Sequence, residues 1–425
     1  MYHLLLGFAT FIVSSFAWCY APIHNLAAAE LRVVTYNTTT DVRLGLDVVL
    51  EAIGDEVVGG ISRPIDVLAV QEQSSAATDT ADIVGILNGI YGPGTYDYAM
   101  LNGGTSGAGR PGLAFNTTTI ELLDQTSFGT VSTSTQARQT LRYLLRPIGY
   151  DDGSVDFYLY NNHYKASTGS ANQNRRLIEA QLLRDDLDIL GDGVHAILAG
   201  DFNIRTSSEP MYQELLSPGD GQAFDPIDTP GSWNANGNFK LVHSQSPLSG
   251  QSGGLIGGGV DDRFDFQLVT GELLNGVGFD YIPGSYHVFG NNGTHVCCNS
   301  GISTGSGASA SILAALESAS DHLPVVADYQ LPDLPPAIAG DFNGNGIVDV
   351  ADYGIWRNTL GSSTDLRADS NGNNVIDQED YVAWQMDFGN TAGSGSLAQR
   401  VPEPCSMALM VISGLSLLAS RSRFR

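Results

Sequence analysis

The chain has 425 residues, with 20 Lys+Arg against 46 Asp+Glu and a formal net charge of −26. Its 42% hydrophobic content is ordinary for a globular protein, and the length allows one large domain plus a smaller module. So acidic a chain repels polyanions at long range, which weighs against a tight nucleic-acid binder.

The first element is an apolar run, Leu4 to Ala17, too short to span a bilayer comfortably. An "AAAE" site follows at Ala27 to Glu30, so residues 1–29 read as a secretory signal peptide cut near Ala29, although no Lys or Arg precedes the run. Trp18 before Cys19 argues against a lipoprotein.

Residues 30–331 form the main domain. They hold 14 Lys+Arg against 35 Asp+Glu, a difference of about −21, and only two lysines, Lys165 and Lys240. Short apolar runs read as strands, and most end in a polar cluster. "LRVVTYN" ends in Asn37 and "IDVLAVQE" in Glu72. "GRPGLAF" opens with Arg110 after a Gly-rich turn. "VDFYLYNNHYK" carries Asn161, His163 and Lys165. An amphipathic helix is predicted from Ala171 to Leu190, with Ile178, Leu182, Leu183, Leu187 and Leu190 at helical spacing. The apolar run His195 to Ala199 then emits "GDFN", which places Asp201 and Asn203 at a strand end; such ends commonly line a site, but an Asx turn is an equal reading of these four letters.

The stretch "SGQSGGLIGGGV" before Asp261 reads as a mobile loop. "DDRFDFQLVT" brings Asp262, Arg263 and Asp265, and "SDHLPVVADY" puts Ser320, Asp321 and His322 before the last strand. With both termini removed, Cys297 and Cys298 are the remaining cysteines; adjacent as they are, they make no disulfide framework, but a vicinal bridge or two thiols.

A Pro-rich linker, 332–338, precedes a module at 339–391 built on an internal repeat of period 28. One copy reads "DFNGNGIVDVADYGIW" and the other "DSNGNNVIDQEDYVAW". Oxygen side chains fall at loop positions 1, 3, 5, 9 and 12: Asp341, Asn343, Asn345, Asp349, Asp352, then Asp369, Asn371, Asn373, Asp377, Asp380. Calcium takes six to eight oxygens, and this spacing wraps them around one ion, so about two Ca²⁺ are expected. Position 6 needs a positive φ and is Gly346 or Asn374, both tolerant of it. The end, 392–425, carries "VPEP", an apolar run from Met407 to Ala419, and Arg421, Arg423 and Arg425.

Three resemblances follow from these motifs. The ordered set "TYN", "QE", "NNHYK", "GDFN", "RFDF" and "SDH" resembles the endonuclease/exonuclease/phosphatase superfamily over the whole of 30–331. A threonine stands before Tyr36 where many relatives carry Trp. The fold this implies is a four-layer α/β sandwich, two facing mixed β-sheets with helices outside, followed here by a small α-helical module of paired calcium loops. The paired loops resemble a dockerin type I module, which implies a cohesin-like or cell-surface partner. The C-terminus resembles a PEP-CTERM sorting signal, which implies an exported, secreted or cell-surface protein with transient membrane contact.

The superfamily resemblance also implies roles. Glu72 holds a Mg²⁺ or Mn²⁺ ion with Asn37 and Asp321 close by, since all-oxygen ligands suit a hard cation. His322 is the general base, paired with Asp265, and Asp201 orients the attacking water or shares that role. Asn203 and His163 donate to the phosphate, and Asn161, Arg110 and Lys165 contact the substrate. The expected activity is phosphodiester hydrolysis, with an extracellular nuclease first. A sphingomyelinase-like or inositol-phosphate phosphatase-like enzyme of the same fold comes second. The alternative from another class is an inactive cell-surface binding protein.

Overall fold

The computed structural model describes residues 30–102, 109–129, 138–150, 153–333, 338–344 and 346–391. The expected signal peptide, the sorting signal and the calcium ligand Asn345 lie outside them. Among the described residues no helix is long and apolar enough to cross a membrane.

Strand β1 (Glu30–Asn37) leads through helix α1 (Leu46–Asp55) and a hairpin, β2 (Val57–Val58) with β3 (Ile61–Ser62), to β4 (Val67–Gln73). Helix α2 (Ala81–Tyr91) precedes β5 (Tyr96–Tyr98), β6 (Arg110–Asn116), β7 (Ile120–Phe128), β8 (Thr140–Pro147) and β9 (Phe157–His163). Helix α3 (Ser170–Leu190) crosses over to β10 (His195–Asp201). Then come α4 (Pro210–Leu215), β11 (Ala223–Phe224), β12 (Asp265–Thr270), β13 (Asp280–Tyr281), β14 (His287–Val288), α5 (Ala310–Ala319) and β15 (Val325–Gln330). Helices α6 (Val350–Thr359) and α7 (Gln378–Asp387) belong to the C-terminal module.

The strands form two large mixed sheets. One runs β13-β15-β1-β4-β6-β5, with β14 also on β15; the other runs β11-β12-β10-β9-β8-β7. Each has one parallel pair at its centre, β1 with β4 and β9 with β10, and antiparallel neighbours on both sides. The central strands are buried along nearly their whole length, which is why they read as continuous apolar runs. Strand β8, nearer an edge, alternates between buried and half-buried.

Helices α1, α2 and α5 share the core of the first sheet through Leu50, Ile53, Leu87 and Leu316. Helices α3 and α4 pack on the second through Leu183, Leu187 and Met211. The result is the expected α/β/β/α sandwich. One detail differs from the sequence reading: in α3 the buried face is Arg176, Glu179, Ala180, Leu183 and Leu187, while Ile178 is exposed. Periodicity misplaces this face because Arg176 and Glu179 are buried through hydrogen bonds rather than through apolarity.

Polar side chains are paired across the inter-sheet core. Asn161 on β9 donates to the carbonyls of Val70 (3.1 Å) and Gly112 (2.8 Å) and accepts from Gln71. Gln267 on β12 donates to the carbonyls of Val33 and Val325, both at 3.0 Å. A buried amide without these partners would cost about 1–3 kcal/mol, so they fix how the two sheets face each other.

In the C-terminal module the two copies of the repeat interlock. The Trp356 indole donates to the Asp377 carbonyl at 2.8 Å, and the Trp384 indole to the Asp349 carbonyl at 2.7 Å. Each helix opens with a capping box, Asp349 with Asp352 and Asp377 with Asp380.

Candidate active site

The topology gathers the polar strand ends. Asn37 and Glu72 stand at the ends of β1 and β4, and His163 and Asp201 at the ends of β9 and β10. An antiparallel neighbour starts where such a strand ends. Asp265, the first residue of β12, therefore pairs with Asp201, and Asp321 and His322 arrive just before β15. They meet at a cleft of about 490 Å³ lined by Glu72, His163, Asp201, Asn203, Asp321 and His322, among others.

Glu72 is displayed by a β-bulge. The register with β6 shifts between Val70 and Gln73, and Glu72 takes φ +67°. Gly109, just before β6, must be glycine, because a Cβ there would come within 2.3 Å of the Glu72 Cα. Behind the cleft, Asn37 Nδ2 donates to Glu72 Oε1 at 3.1 Å and to Asp201 Oδ2 at 3.3 Å, while Asn37 Oδ1 accepts from Thr39 N at 3.1 Å. Ligation of an ion by the Asn37 oxygen therefore requires a turn of its amide.

His322 and Asp265 form a buried dyad. His322 Nδ1 donates to Asp265 Oδ2 at 2.8 Å, and Ser244 Oγ donates to the same oxygen at 2.6 Å. His322 Nε2 lies 2.9 Å from Gln245 Nε2 and 3.8 Å from Asp201 Oδ2. Burial opposes charge on this ring, but Asp265, Asp201 and Asp321 outweigh it and hold its pKa well above the ordinary histidine value. For Asp201, burial is the largest cause and the charges of Asp265 and Glu72 add to it; against the pull of His322 and Arg138 they raise its pKa out of the usual carboxylate range.

His163 behaves in the opposite way. Burial, then the charges of Arg138, His322 and Lys165, lower its pKa well below the ordinary value, so it is neutral. Its Nε2 is 3.6 Å from Glu72 Oε1 and 3.7 Å from Asp201 Oδ2, and its Nδ1 is buried with no hydrogen-bond partner among the described residues. Glu72, His163 and Asp201 offer donor atoms that all lie within 4.8 Å of one another. This trio is not the trio expected from sequence. It keeps Glu72, holds Asn37 as a bridge between its two acids, and leaves Asp321 outside; Asp321 Oδ2 accepts from Ile256 N at 2.8 Å.

Asn203, at φ +54°, donates its backbone N–H to Asp201 Oδ1 at 2.9 Å and its Nδ2 to the Tyr164 carbonyl at 3.1 Å. The four letters thus form the Asx turn, and Asp201 and Asn203 also line the cleft. Three expected substrate contacts are not brought to the cleft. Asn161 spends its amide between the sheets. Arg110 opens β6 opposite Gln73, and Lys165 Nζ donates to the Ala166 carbonyl at 2.9 Å.

The cleft residues that were not foreseen include Arg43, Arg138 and Gln245. Arg138 Nη1 donates to the carbonyls of His163 (3.1 Å) and Tyr164 (2.8 Å). Its backbone N–H and that of Lys165 both donate to the buried Glu179 carboxylate, at 2.6 and 2.9 Å. Partners that are backbone atoms leave no mark in a sequence. Cys297 and Cys298 are joined to each other.

No protein-family model matches the chain, and no curated protein matches it. Among solved structures it is similar to the human nocturnin catalytic domain with bound sulfate: 16% identity, TM-score 0.43, over 71% of this chain and 95% of that one. An endonuclease/exonuclease/phosphatase protein from Bacteroides vulgatus is similar at 17% identity and TM-score 0.44, over 72% of this chain and 100% of that one. The mannosyl-6-phosphatase of Bacteroides thetaiotaomicron is similar at 15% identity and TM-score 0.43, over 70% and 99%.

Proposed function

We propose that residues 30–331 are a metal-dependent phosphodiesterase of the endonuclease/exonuclease/phosphatase superfamily, acting on the phosphodiester bonds of nucleic acid. The observation that carries this reading is the dyad of His322 and Asp265 facing Asp201 in the same cleft as Glu72 and His163. Hydrolysis needs a base for water, donors for the phosphoryl oxygens and relief of negative charge. In its neutral form, with Nδ1–H on Asp265, the His322 ring presents an unprotonated Nε2 toward Asp201, the atom that would take a proton from the attacking water. Neutral His163 is a hydrogen-bond donor to a phosphoryl oxygen, and Arg138 adds positive charge beside it.

A divalent cation fits the residues present. Two carboxylates and an imidazole converge, the acids are linked through one neutral amide, and among the described residues no Lys or Arg lies in ion-pair contact with them. Glu72 and Asp201 would hold it, with Asn37 after a turn of its amide, and we favour Mg²⁺ or Mn²⁺ because these donors are oxygens. Bound there, the cation supplies charge for the phosphoryl oxygens and acidifies water. The test is a panel of DNA, RNA, sphingomyelin, inositol phosphates and a chromogenic diester, each with Mg²⁺, Mn²⁺ or Zn²⁺. We expect DNA or RNA to be cut with little sequence preference. Cleavage of lipid or monoester alone would replace the nuclease assignment.

The remaining organisation completes the proposal. Residues 339–391 bind about two Ca²⁺ ions and dock on a cohesin-like or cell-surface partner, and residues 1–29 and 392–425 are export and sorting signals. The calcium reading is supported by Asp341 Oδ1, buried without a partner among the described residues, and by positive φ at Gly346 (+79°) and Asn374 (+63°). Mass spectrometry of the mature exported protein tests the two processing sites.

A further inference from the structure

The glycine-rich segment before Asp261, expected to be a mobile loop, is built into the cleft. Gly258 and Gly259 donate to the Leu248 carbonyl at 3.1 and 2.9 Å, Ser246 Oγ donates to the Ile256 carbonyl at 2.6 Å, and Ile256 N is held by Asp321. Gly254 and Ile256 line the cleft, and Ile256 keeps 54% of its surface exposed there. Arg43, on the loop leaving β1, fastens this segment: Nη1 donates to the Gly253 carbonyl at 3.0 Å, and Nε donates to Thr39 Oγ1 at 3.0 Å.

Like Arg138 in the same cleft, Arg43 stands outside the carboxylate ion pairs that hold most arginines among the described residues. Nine other arginines among the described residues stand in ion pairs with carboxylates. Arg43 lines the cleft and, among the described residues, has no carboxylate within ion-pair distance, in a protein with 46 acidic side chains. Two of its five N–H donors are in use, and its guanidinium is held in place by the contacts that use them. A fixed, half-buried fork of donors in the same cleft as an exposed isoleucine fits an anion attached to an apolar ring.

We propose that Arg43 and Ile256 form a specificity rim. Arg43 binds the phosphate next to the scissile one along a chain, and Ile256 packs on the sugar or base between them. The inference rests on the phosphodiesterase reading and narrows it to oligonucleotide-like substrates over isolated diesters. The test compares kcat/KM of the full chain with Mg²⁺ on a thymidine hexanucleotide and on bis(4-nitrophenyl) phosphate, which has no flanking phosphate. Arg43→Gln should lower the ratio of the two values by about tenfold, as expected for one charge-assisted phosphate contact. If that variant does not fold, Arg43→Lys serves, with an expected fall of about threefold because the charge stays and the fork is lost. An unchanged ratio in the variant that folds overturns the proposal. Binding of a fluorescent hexanucleotide in EDTA separates the two claims. If the natural chain cleaves neither probe, the phosphodiesterase reading fails; weaker hexanucleotide binding by the Arg43 variant then still supports the rim, and equal binding overturns it too.

Discussion

The pentapeptide Ala-Gly-Asp-Phe-Asn occurs twice, at Ala199 to Asn203 and at Ala339 to Asn343, and the two copies share their local chemistry. Both glycines have positive φ, +136° at Gly200 and +96° at Gly340. Both phenylalanines are buried, Phe202 against Tyr164 and Phe266, Phe342 in the cluster around Trp356. Both aspartates accept a backbone N–H, Asp201 from Asn203 at 2.9 Å and Asp341 from Gly346 at 2.8 Å. What separates them is the surroundings of the other carboxylate oxygen. Asp201 Oδ2 accepts from Asn37 on the facing sheet and stands near His322 and His163, whereas Asp341 Oδ1 is buried in its own loop without a partner among the described residues. A short motif sets a turn; long-range neighbours decide what the turn presents.

The largest expected effect breaks the first copy alone. Asp201→Asn or Glu72→Gln should reduce hydrolysis by about a thousandfold or more and leave calcium binding at 339–391 unchanged. Turnover and calcium titration on the same preparations check this; a variant that alters both would join what the structure separates. Next is His322→Ala, with a loss on the order of hundreds in kcat. In Asp265→Asn the carboxylate that most raises the His322 pKa is gone. The pair then gives up its proton at lower pH, so the acidic limb of the pH–rate profile should move down; a limb that stays in place refutes the dyad.

Methyl groups added to the two glycines sharpen the comparison. A Cβ on Gly200 would come within 2.0 Å of the Asn162 carbonyl oxygen, and one on Gly340 within 2.5 Å of the Trp384 Cα. Gly200→Ala should therefore lower the melting temperature of residues 30–331 together with the proposed activity. Gly340→Ala should destabilise the module, as Asp341→Ala should weaken its calcium binding, with hydrolysis intact. Calorimetry with and without Ca²⁺ distinguishes the two.

The smallest effect lies behind the cleft, at Glu179. Burial, against the two backbone donors that stabilise its charge, raises its pKa from 4.5 to about 7. Between those values the folded chain holds a proton that the unfolded chain has lost, so stability contributed here falls as pH rises through that window. Glu179→Gln should flatten that slope by about 1–3 kcal/mol, read from urea denaturation at several pH values. An unchanged slope would mean that Glu179 is ionised in the folded state throughout.

Much of this molecule was legible in its sequence because the signals are local. Apolar runs that end in Asn37, Glu72, His163 and Asp201 announce strand ends, and a 28-residue repeat of oxygen side chains announces paired loops. Burial on both faces makes a central strand apolar throughout, and such a run is visible without a fold. Tertiary structure alone decided the pairings. It placed Asn161 between the sheets instead of in the cleft, set His163 beside Glu72, and brought in Arg43, Arg138 and Gln245. Those outcomes depend on the face to which an odd or even strand position points, on a one-residue bulge at Glu72, and on hydrogen bonds to backbone carbonyls whose identity no side chain encodes.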